Sequence, residues 1–291
     1  MSNFQNESTL KKLRSGHEDI LKGISNDGQA RFYRVLAETI LKKIIDIDVS
    51  EKLMLGQAKS RFKAYIKNHE NSAIASFDIS SVLDAIEICR LNGNTAGHSN
   101  SDEVLDSDID NIKKAIDELY VFLCIKFFTK YPIKADENIY TQKFSLLTPE
   151  IRYKALYSLQ KNDPTNWFLT DRLVITMTKA RGKGFAIEWL KSNKEAISNI
   201  EEPLDFAPTW YEYFLESIKL ISENINQKGV MYSTLEEAKE LYLRDGYIDN
   251  VDEQAQEFNN IIEFIFLGRV AIDNPKIREE FSYLFATQDN E

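Results

Sequence analysis

Apolar residues recur at three- and four-residue steps along most of this chain. Three segments carry this spacing and would each place an apolar face on one side of a helix: 27–46, 53–68 and 79–91. The segment 109–131 is apolar almost all round after Leu119, which predicts a buried central helix. No alternating strand pattern of useful length competes with these segments. The sequence therefore predicts an all-α fold with about ten to twelve helices.

Three dipeptides mark helix starts in the second half of the chain. Thr148-Pro149, Asp163-Pro164 and Asn274-Pro275 each place a short polar residue before a proline. The polar side chain can cap the free amides of a first turn, and proline suits the first helical position because it lacks an amide there. We expect helices to begin at Pro149, Pro164 and Pro275.

The segment 132–147 separates two helical regions. It begins with a proline that stops the long apolar helix, and it shows no helical spacing. The sequence therefore predicts a first helical domain over 1–131, a linker over 132–147 and a second helical domain over 148–291. A HEAT-like start at 148–156 suggests a scaffold of stacked repeats, but nothing recurs at a fixed period, so this alternative is less favoured.

Charge is unevenly distributed along the chain. The 291 residues carry 36 Lys and Arg against 46 Asp and Glu, a net charge of −10, with ordinary globular composition. Segment 1–67 carries a net charge of +5, 68–131 of −6, 132–194 of +5 and 195–291 of −14. The acidic total therefore argues against a uniformly basic nucleic-acid coat, while two segments remain basic.

The second basic segment supplies the candidate phosphate contacts. Its cations are candidates for nucleic-acid or phosphate binding: Arg152, Lys154, Lys179, Arg181 and Lys183. The alternative is an ordinary solvated helix face. Nucleic acid is therefore a partner that this chain could take through a local basic patch.

An aromatic run follows in the acidic last third. Trp210, Tyr211 and Phe214 are candidate contacts to a partner, because the run covers more faces of a helix than one neighbour can bury. The alternative is that these helix-spaced rings belong to the core.

The cysteines, the histidines and the apolar segments bear on cofactors and on the cellular compartment. Cys89 and Cys124 lie in apolar runs typical of reduced core thiols. We expect no metal site and no cofactor, because two Cys and three scattered His make a poor ligand set and no Gly-rich phosphate loop is found. The N-terminus has no signal-peptide core and 119–128 is too short to span a bilayer, so we expect a cytoplasmic protein without membrane contact.

One motif carries a family resemblance. The stretch Arg90-Leu91-Asn92-Gly93-Asn94-Thr95-Ala96-Gly97-His98 ends an amphipathic helix and precedes a polar loop. It resembles the HEPN superfamily, and most closely the HEPN-like domain at the N-terminus of type I restriction enzyme motor subunits and related prokaryotic defence proteins. The helix 30–38 is similar to the Arg…Glu helix of that family. The resemblance covers about residues 10–131 and implies a HEPN-like helical bundle.

The resemblance implies a candidate site at Arg90, Asn94 and His98. In catalytic HEPN members an Arg and a His near a dimer axis cleave RNA without metal, the Arg holding the phosphate and the His moving a proton. Here seven residues separate Arg90 from His98, more than in the catalytic members. A structural alternative is that Gly93 closes the helix while Asn94 and His98 hold the loop.

These observations favour a non-catalytic interaction protein. We expect a helical adaptor, sensor or subunit of a prokaryotic defence-type (anti-phage, restriction-like) assembly that processes nucleic acid, with a protein partner such as a nuclease or helicase subunit. The alternative is a metal-independent HEPN-type ribonuclease or toxin that works as a homodimer.

Overall fold

The computed structural model describes residues 23–48, 51–70, 72–95, 103–136, 138–201, 209–229, 248–249 and 252–267. These ranges form eleven α-helices and one short 3₁₀ helix at Ala73–Ser76, and no residue within them lies in a strand. The helices are α1 (Asn26–Ile44), α2 (Leu55–Asn68), α3 (Ser80–Thr95), α4 (Asp106–Lys130), α5 (Asn138–Phe144), α6 (Pro149–Asn162), α7 (Trp167–Arg181), α8 (Lys183–Ser192), α9 (Lys194–Ser198), α10 (Trp210–Lys228) and α11 (Glu253–Leu267). The predicted all-α fold is confirmed. None of these helices combines the length and the apolar character needed to cross a membrane.

The chain divides into two compact units. One unit contains Met1–Phe127 together with Ile248–Glu291, and the other contains Phe128–Tyr247. The sequence predicted one domain over 148–291, whereas the structure groups Ile248–Glu291 with the first unit. Pairing between segments that are far apart in the chain leaves no mark on local spacing, so the spacing of apolar residues does not reveal it.

Three amphipathic helices form one side of the first unit. Helix α3 packs against both α1 and α2, and α1 packs against α2. Each buries the apolar face that the spacing predicted, with Leu36 and Ile40 on α1, Phe62 on α2 and Ile86 on α3 almost fully removed from water. Burial of these side chains is the main favourable contribution to the packing of these helices.

Helix α4 is the central helix of the first unit, as predicted. From Leu119 to Ile125 every side chain is buried. The Phe122 ring meets Phe62 of α2 edge-on at 5.2 Å between ring centroids. On α11, Phe264 contacts Tyr120 at 6.3 Å. Helix α11 therefore joins the first unit through aromatic contacts with α4.

A lysine in this apolar helix has a structural role. The Nζ atom of Lys126 donates to the carbonyl oxygen of Ile44 at 2.9 Å and to that of Lys43 at 3.3 Å, and it pairs with Asp46 at 2.7 Å. The last carbonyls of α1 lack partners within their own helix, and a cation at that end also suits the helix dipole. Lys126 thus fixes the C-terminal end of α1 against α4.

Helix α7 is the centre of the second unit. It packs against α6, α8 and α10, and its buried apolar residues face more than one neighbour: Phe168, Leu169, Leu173, Val174 and Met177. Helix α10 adds a row of rings, in which Trp210 stacks on Trp167 of α7 at 4.9 Å and on Phe214 at 5.7 Å. A helix that is apolar on most sides needs this enclosure.

One predicted helix start is confirmed, one is wrong, and the third, at Asn274-Pro275, lies outside the described residues. Helix α6 begins at Pro149 with Thr148 as its N-cap residue. Helix α7 begins at Trp167 instead of Pro164, because Asn166 supplies the cap: its Oδ1 accepts the amide of Leu169 at 3.0 Å. Asp163 instead ends α6.

The segment 132–147 contains a helix that the spacing did not predict. Helix α5 has seven residues, which is under two turns, so its apolar positions establish no period. The Phe144 ring packs edge-on against Phe128 at 5.0 Å, and Leu147 is fully buried. This part of the chain therefore contributes to the core of the second unit.

Replacing Phe214 tests the core of the second unit. Phe214 is 0% exposed on α10, whereas Leu220 of the same helix is 53% exposed. We expect Phe214→Ala to lower the free energy of unfolding by about 3–5 kcal/mol, because it removes a buried ring and leaves a cavity. The matched change Leu220→Ala should cost less than about 0.5 kcal/mol. Urea denaturation of both variants measures the difference, and equal effects would mean that Phe214 is not a core residue.

Candidate functional site at the end of helix α3

Arg90 is held by a carboxylate of its own helix. Its Nη2 lies 2.5 Å from Oε1 of Glu87 and its Nε lies 3.2 Å from Oε2. The spacing of three residues puts both side chains on one face of α3. Lys59 of α2 reaches the same carboxylate, with its Nζ 3.2 Å from Oε2. Glu87 therefore binds two cations, one from each of two helices.

The titration of these groups follows from this pairing. Hydrogen bonds from Arg90 and then from Lys59 lower the pKa of Glu87 to about 2. The same pair raises the pKa of Arg90 above its ordinary value. The charged forms of both groups stabilise each other throughout the physiological range.

Gly93 allows α3 to approach α1 closely. A Cβ atom built at Gly93 would lie 2.8 Å from Cδ of Arg34 and 2.9 Å from its Cβ. Any larger residue would therefore overlap the base of the Arg34 side chain. The structural alternative predicted that Gly93 closes the helix, but α3 continues through it to Thr95. The glycine is required here for space rather than for a turn.

The side chain beneath Gly93 belongs to a second ion pair. Arg34 Nε lies 3.5 Å from Oε1 of Glu38, one turn along α1. Oε1 of Glu38 also accepts the backbone amide of Leu55 at 3.4 Å, at the first residue of α2. The N-cap residue of α2, Met54, makes no side-chain capping hydrogen bond. Glu38 therefore links α1 to the positive end of α2.

Of the three residues proposed from the family resemblance, the structure describes the side chain of Arg90 alone. Asn94 lies in the last turn of α3, but its side chain is outside the described residues, as is the whole of His98. The proposed site Arg90, Asn94 and His98 stays a prediction.

The cations proposed for phosphate binding fall into two groups. Arg152 of α6 is 4% exposed, and its Nε donates to the carbonyl of Leu147 at 2.6 Å. Lys179 of α7 lies near it: burial lowers the pKa of the Lys179 ammonium, and the charges of Arg152 and Arg172 lower it further. Arg152 is therefore buried, and it is a poor candidate for contact with a phosphate in solvent.

The second group lies at the surface. Nη2 of Arg181 lies 2.5 Å from Oε1 of Glu150, and Nζ of Lys154 lies 3.6 Å from the same atom. The Arg181 guanidinium also stacks over the Tyr153 ring at 5.6 Å. Lys183, which begins α8, is exposed. Arg181, Lys154 and Lys183 therefore remain accessible, with one carboxylate among them.

The aromatic residues proposed as a partner interface divide in the same way. Trp210 is buried, and its Nε1 donates to the carbonyl of Glu201 at 3.0 Å. Phe214 is a core residue. Tyr211 is half-buried, with the Lys194 ammonium 5.2 Å from its ring. The ring of this run that is most open to solvent is Tyr213, which the sequence analysis did not select.

A cavity between α6 and α8 was not predicted from the sequence. Both helices pack against α7 rather than closely against each other. The space between them has a volume of about 360 Å³, within the range of small-molecule sites. Three rings, two charged side chains and the amide of Gln160 are part of its lining: Tyr157, Phe185, Trp189, Lys161, Glu188 and Gln160. The signal in the sequence was polar and aromatic residues together at helical spacing.

The two cysteines lie in the core. Cys89 and Cys124 are buried as predicted, and burial raises the pKa of each thiol to about 12. Within the described ranges no three His, Cys, Asp or Glu side chains come close enough to hold a metal ion.

Comparison of the chain with protein-family models, with curated proteins and with solved structures finds no match. The resemblance to HEPN domains stays a prediction from the sequence.

Gly93 and Gly56 make a matched pair of substitutions. We expect Gly93→Ala to lower the free energy of unfolding by about 1–3 kcal/mol, because the new methyl group overlaps Arg34. Gly56 on α2 has no atom within 4 Å of an added Cβ. Gly56→Ala should therefore leave stability unchanged or raise it by up to about 1 kcal/mol. Thermal denaturation compares the two variants, and a neutral Gly93→Ala would contradict the close approach of α3 to α1.

Proposed function

We propose that this chain is a non-catalytic helical adaptor or sensor, acting as a subunit of a prokaryotic defence-type assembly that processes nucleic acid. The resemblance of residues 10–131 to HEPN-like domains supports the class of assembly. The observation that carries the non-catalytic part is the pairing of Arg90 with both oxygens of Glu87.

A phosphate would have to displace this carboxylate. The Arg90 guanidinium presents two donors to Glu87 in the geometry that would otherwise bind a phosphate in bidentate form. The approaching phosphate would also meet the negative charge of Glu87 itself. Lys59, which pairs with the same carboxylate, holds Glu87 in place. This arrangement favours a structural role for Arg90.

The neighbouring contacts support the same role. Gly93 lies one turn beyond Arg90 and packs on Arg34, whose partner Glu38 holds the first amide of α2. The motif thereby joins three helices. Arg90 can therefore shape the surface that this unit presents to a partner without taking part in a reaction.

The partner in this proposal is a protein, such as a nuclease or helicase subunit, and nucleic acid can be contacted through the accessible cations of the second unit. The same proposal includes a cytoplasmic location and allows a homodimer. They rest on the sequence and on the resemblance.

The competing function is a metal-independent ribonuclease, and one assay separates the two. We expect no cleavage of single-stranded RNA in EDTA by the wild type, by His98→Ala or by Arg90→Ala, because the Arg90 cation is already engaged. Arg90→Ala should lower the thermal midpoint, since Glu87 loses its closest partner. The control is Arg61→Ala, which breaks a surface pair with Glu51 at 2.7 Å.

Cleavage in EDTA that disappears in both His98→Ala and Arg90→Ala would overturn the adaptor proposal. Cleavage that persists unchanged in both variants would point to a contaminating nuclease, and the adaptor proposal would stand.

A further inference from the structure

The cavity between α6 and α8 combines accessible rings with an amide that has no hydrogen-bond partner among the described residues. Phe185 is 44% exposed, and Tyr157 and Trp189 are half-buried, so all three rings contribute to the lining of the cavity. An exposed ring beside two half-buried ones gives a partner an apolar surface to cover. Rings at such a site offer flat faces on which another planar group can stack.

Gln160 is the strongest single indication of a ligand. Its residue is 5% exposed, and it lines the cavity. Its side-chain amide forms no hydrogen bond with another described residue. The amide is open to the cavity and is not sealed from solvent, so water or a ligand can satisfy it there. The amide carries both a donor and an acceptor, which suits the edge of a base.

The charges around the cavity suit a ligand with a phosphate. Lys161 lines the cavity, and its ammonium lies 4.5 Å from the centre of the Tyr157 ring. Glu188 is the acidic residue of the lining, and it disfavours a phosphate at its own position. Arg181 lies over the Tyr153 ring but is paired with Glu150. A phosphate would therefore contact Lys161.

We propose that this cavity binds a base of single-stranded nucleic acid, stacked on the rings of α6 and α8 and read by Gln160, with Lys161 contacting the backbone. Sequence-tolerant single-strand binding combines stacking on aromatic side chains with nearby cations in this way. The inference rests on the proposed function, because it names the contact that the adaptor makes with nucleic acid. A free nucleotide has the same chemistry and is distinguished below.

The test is fluorescence anisotropy with labelled single-stranded RNA and DNA of about twelve nucleotides. We expect the wild type to bind both and to bind a duplex of the same sequence much more weakly. Phe185→Ala should weaken binding about tenfold or more through loss of stacking. Gln160→Leu, which keeps the volume, should weaken it about fivefold. Lys161→Ala should weaken binding and reduce its dependence on salt.

Two controls keep the test decisive. Leu220→Ala, an exposed apolar truncation on α10 of the same unit, should leave the affinity unchanged. The circular dichroism melting curve of each variant establishes that it folds, and Phe185 is exposed enough to be replaced without loss of core.

Three results would overturn the inference: no binding of the single strands, binding that neither Phe185→Ala nor Gln160→Leu weakens, or binding of a mononucleotide in place of the strand with the same sensitivity to the variants. The cleavage assay reads a different property. Absent binding without cleavage leaves the non-catalytic proposal intact, whereas cleavage in EDTA overturns that proposal and leaves the cavity to be judged by its own variants.

Discussion

Helices α1 and α3 approach each other so closely at Gly93 that no side chain fits between them. A Cβ atom at Gly93 would lie 2.8 Å from Cδ of Arg34 and 2.9 Å from its Cβ. This contact sets how closely α3 lies on α1. The Arg90–Glu87 and Arg34–Glu38 pairs each form within one helix, whereas the pair of Lys59 with Glu87 joins α2 to α3 and depends on where α3 lies.

Most of the polar side chains described above are satisfied by the protein in both units. In the first unit, Arg90 and Arg34 pair with carboxylates of their own helices. In the second, Arg152 donates to the Leu147 carbonyl and Arg181 pairs with Glu150. Gln160 differs, because it has no hydrogen-bond partner among the described residues and lines a cavity with three rings. A binding site keeps such groups for its ligand, which is why we propose the nucleic-acid contact there.

The helices themselves could be predicted, and their long-range partners could not. The all-round apolar character of 119–128 identified α4 as a buried helix, and Thr148-Pro149 identified the start of α6. The pairing of Glu87 with Arg90 was available from their spacing on one helix face. The burial of Arg152 and Phe214 could not be predicted. The same residue types occur at the same spacing on buried and on exposed helix faces. The cavity arises from how α6 and α8 both pack on α7, which no local pattern encodes.

The most direct measurement of this account is the titration of the Glu87 carboxyl, followed by carbon NMR in the labelled protein. If Arg90 and Lys59 hold this carboxylate, its pKa lies at about 2, far below the ordinary 4.5, and the group stays ionised down to about pH 3. In Arg90→Gln the pKa should rise toward the ordinary value. A pKa near 4.5 in the wild type would mean that Arg90 is free to hold a phosphate, and it would contradict the structural role of the motif.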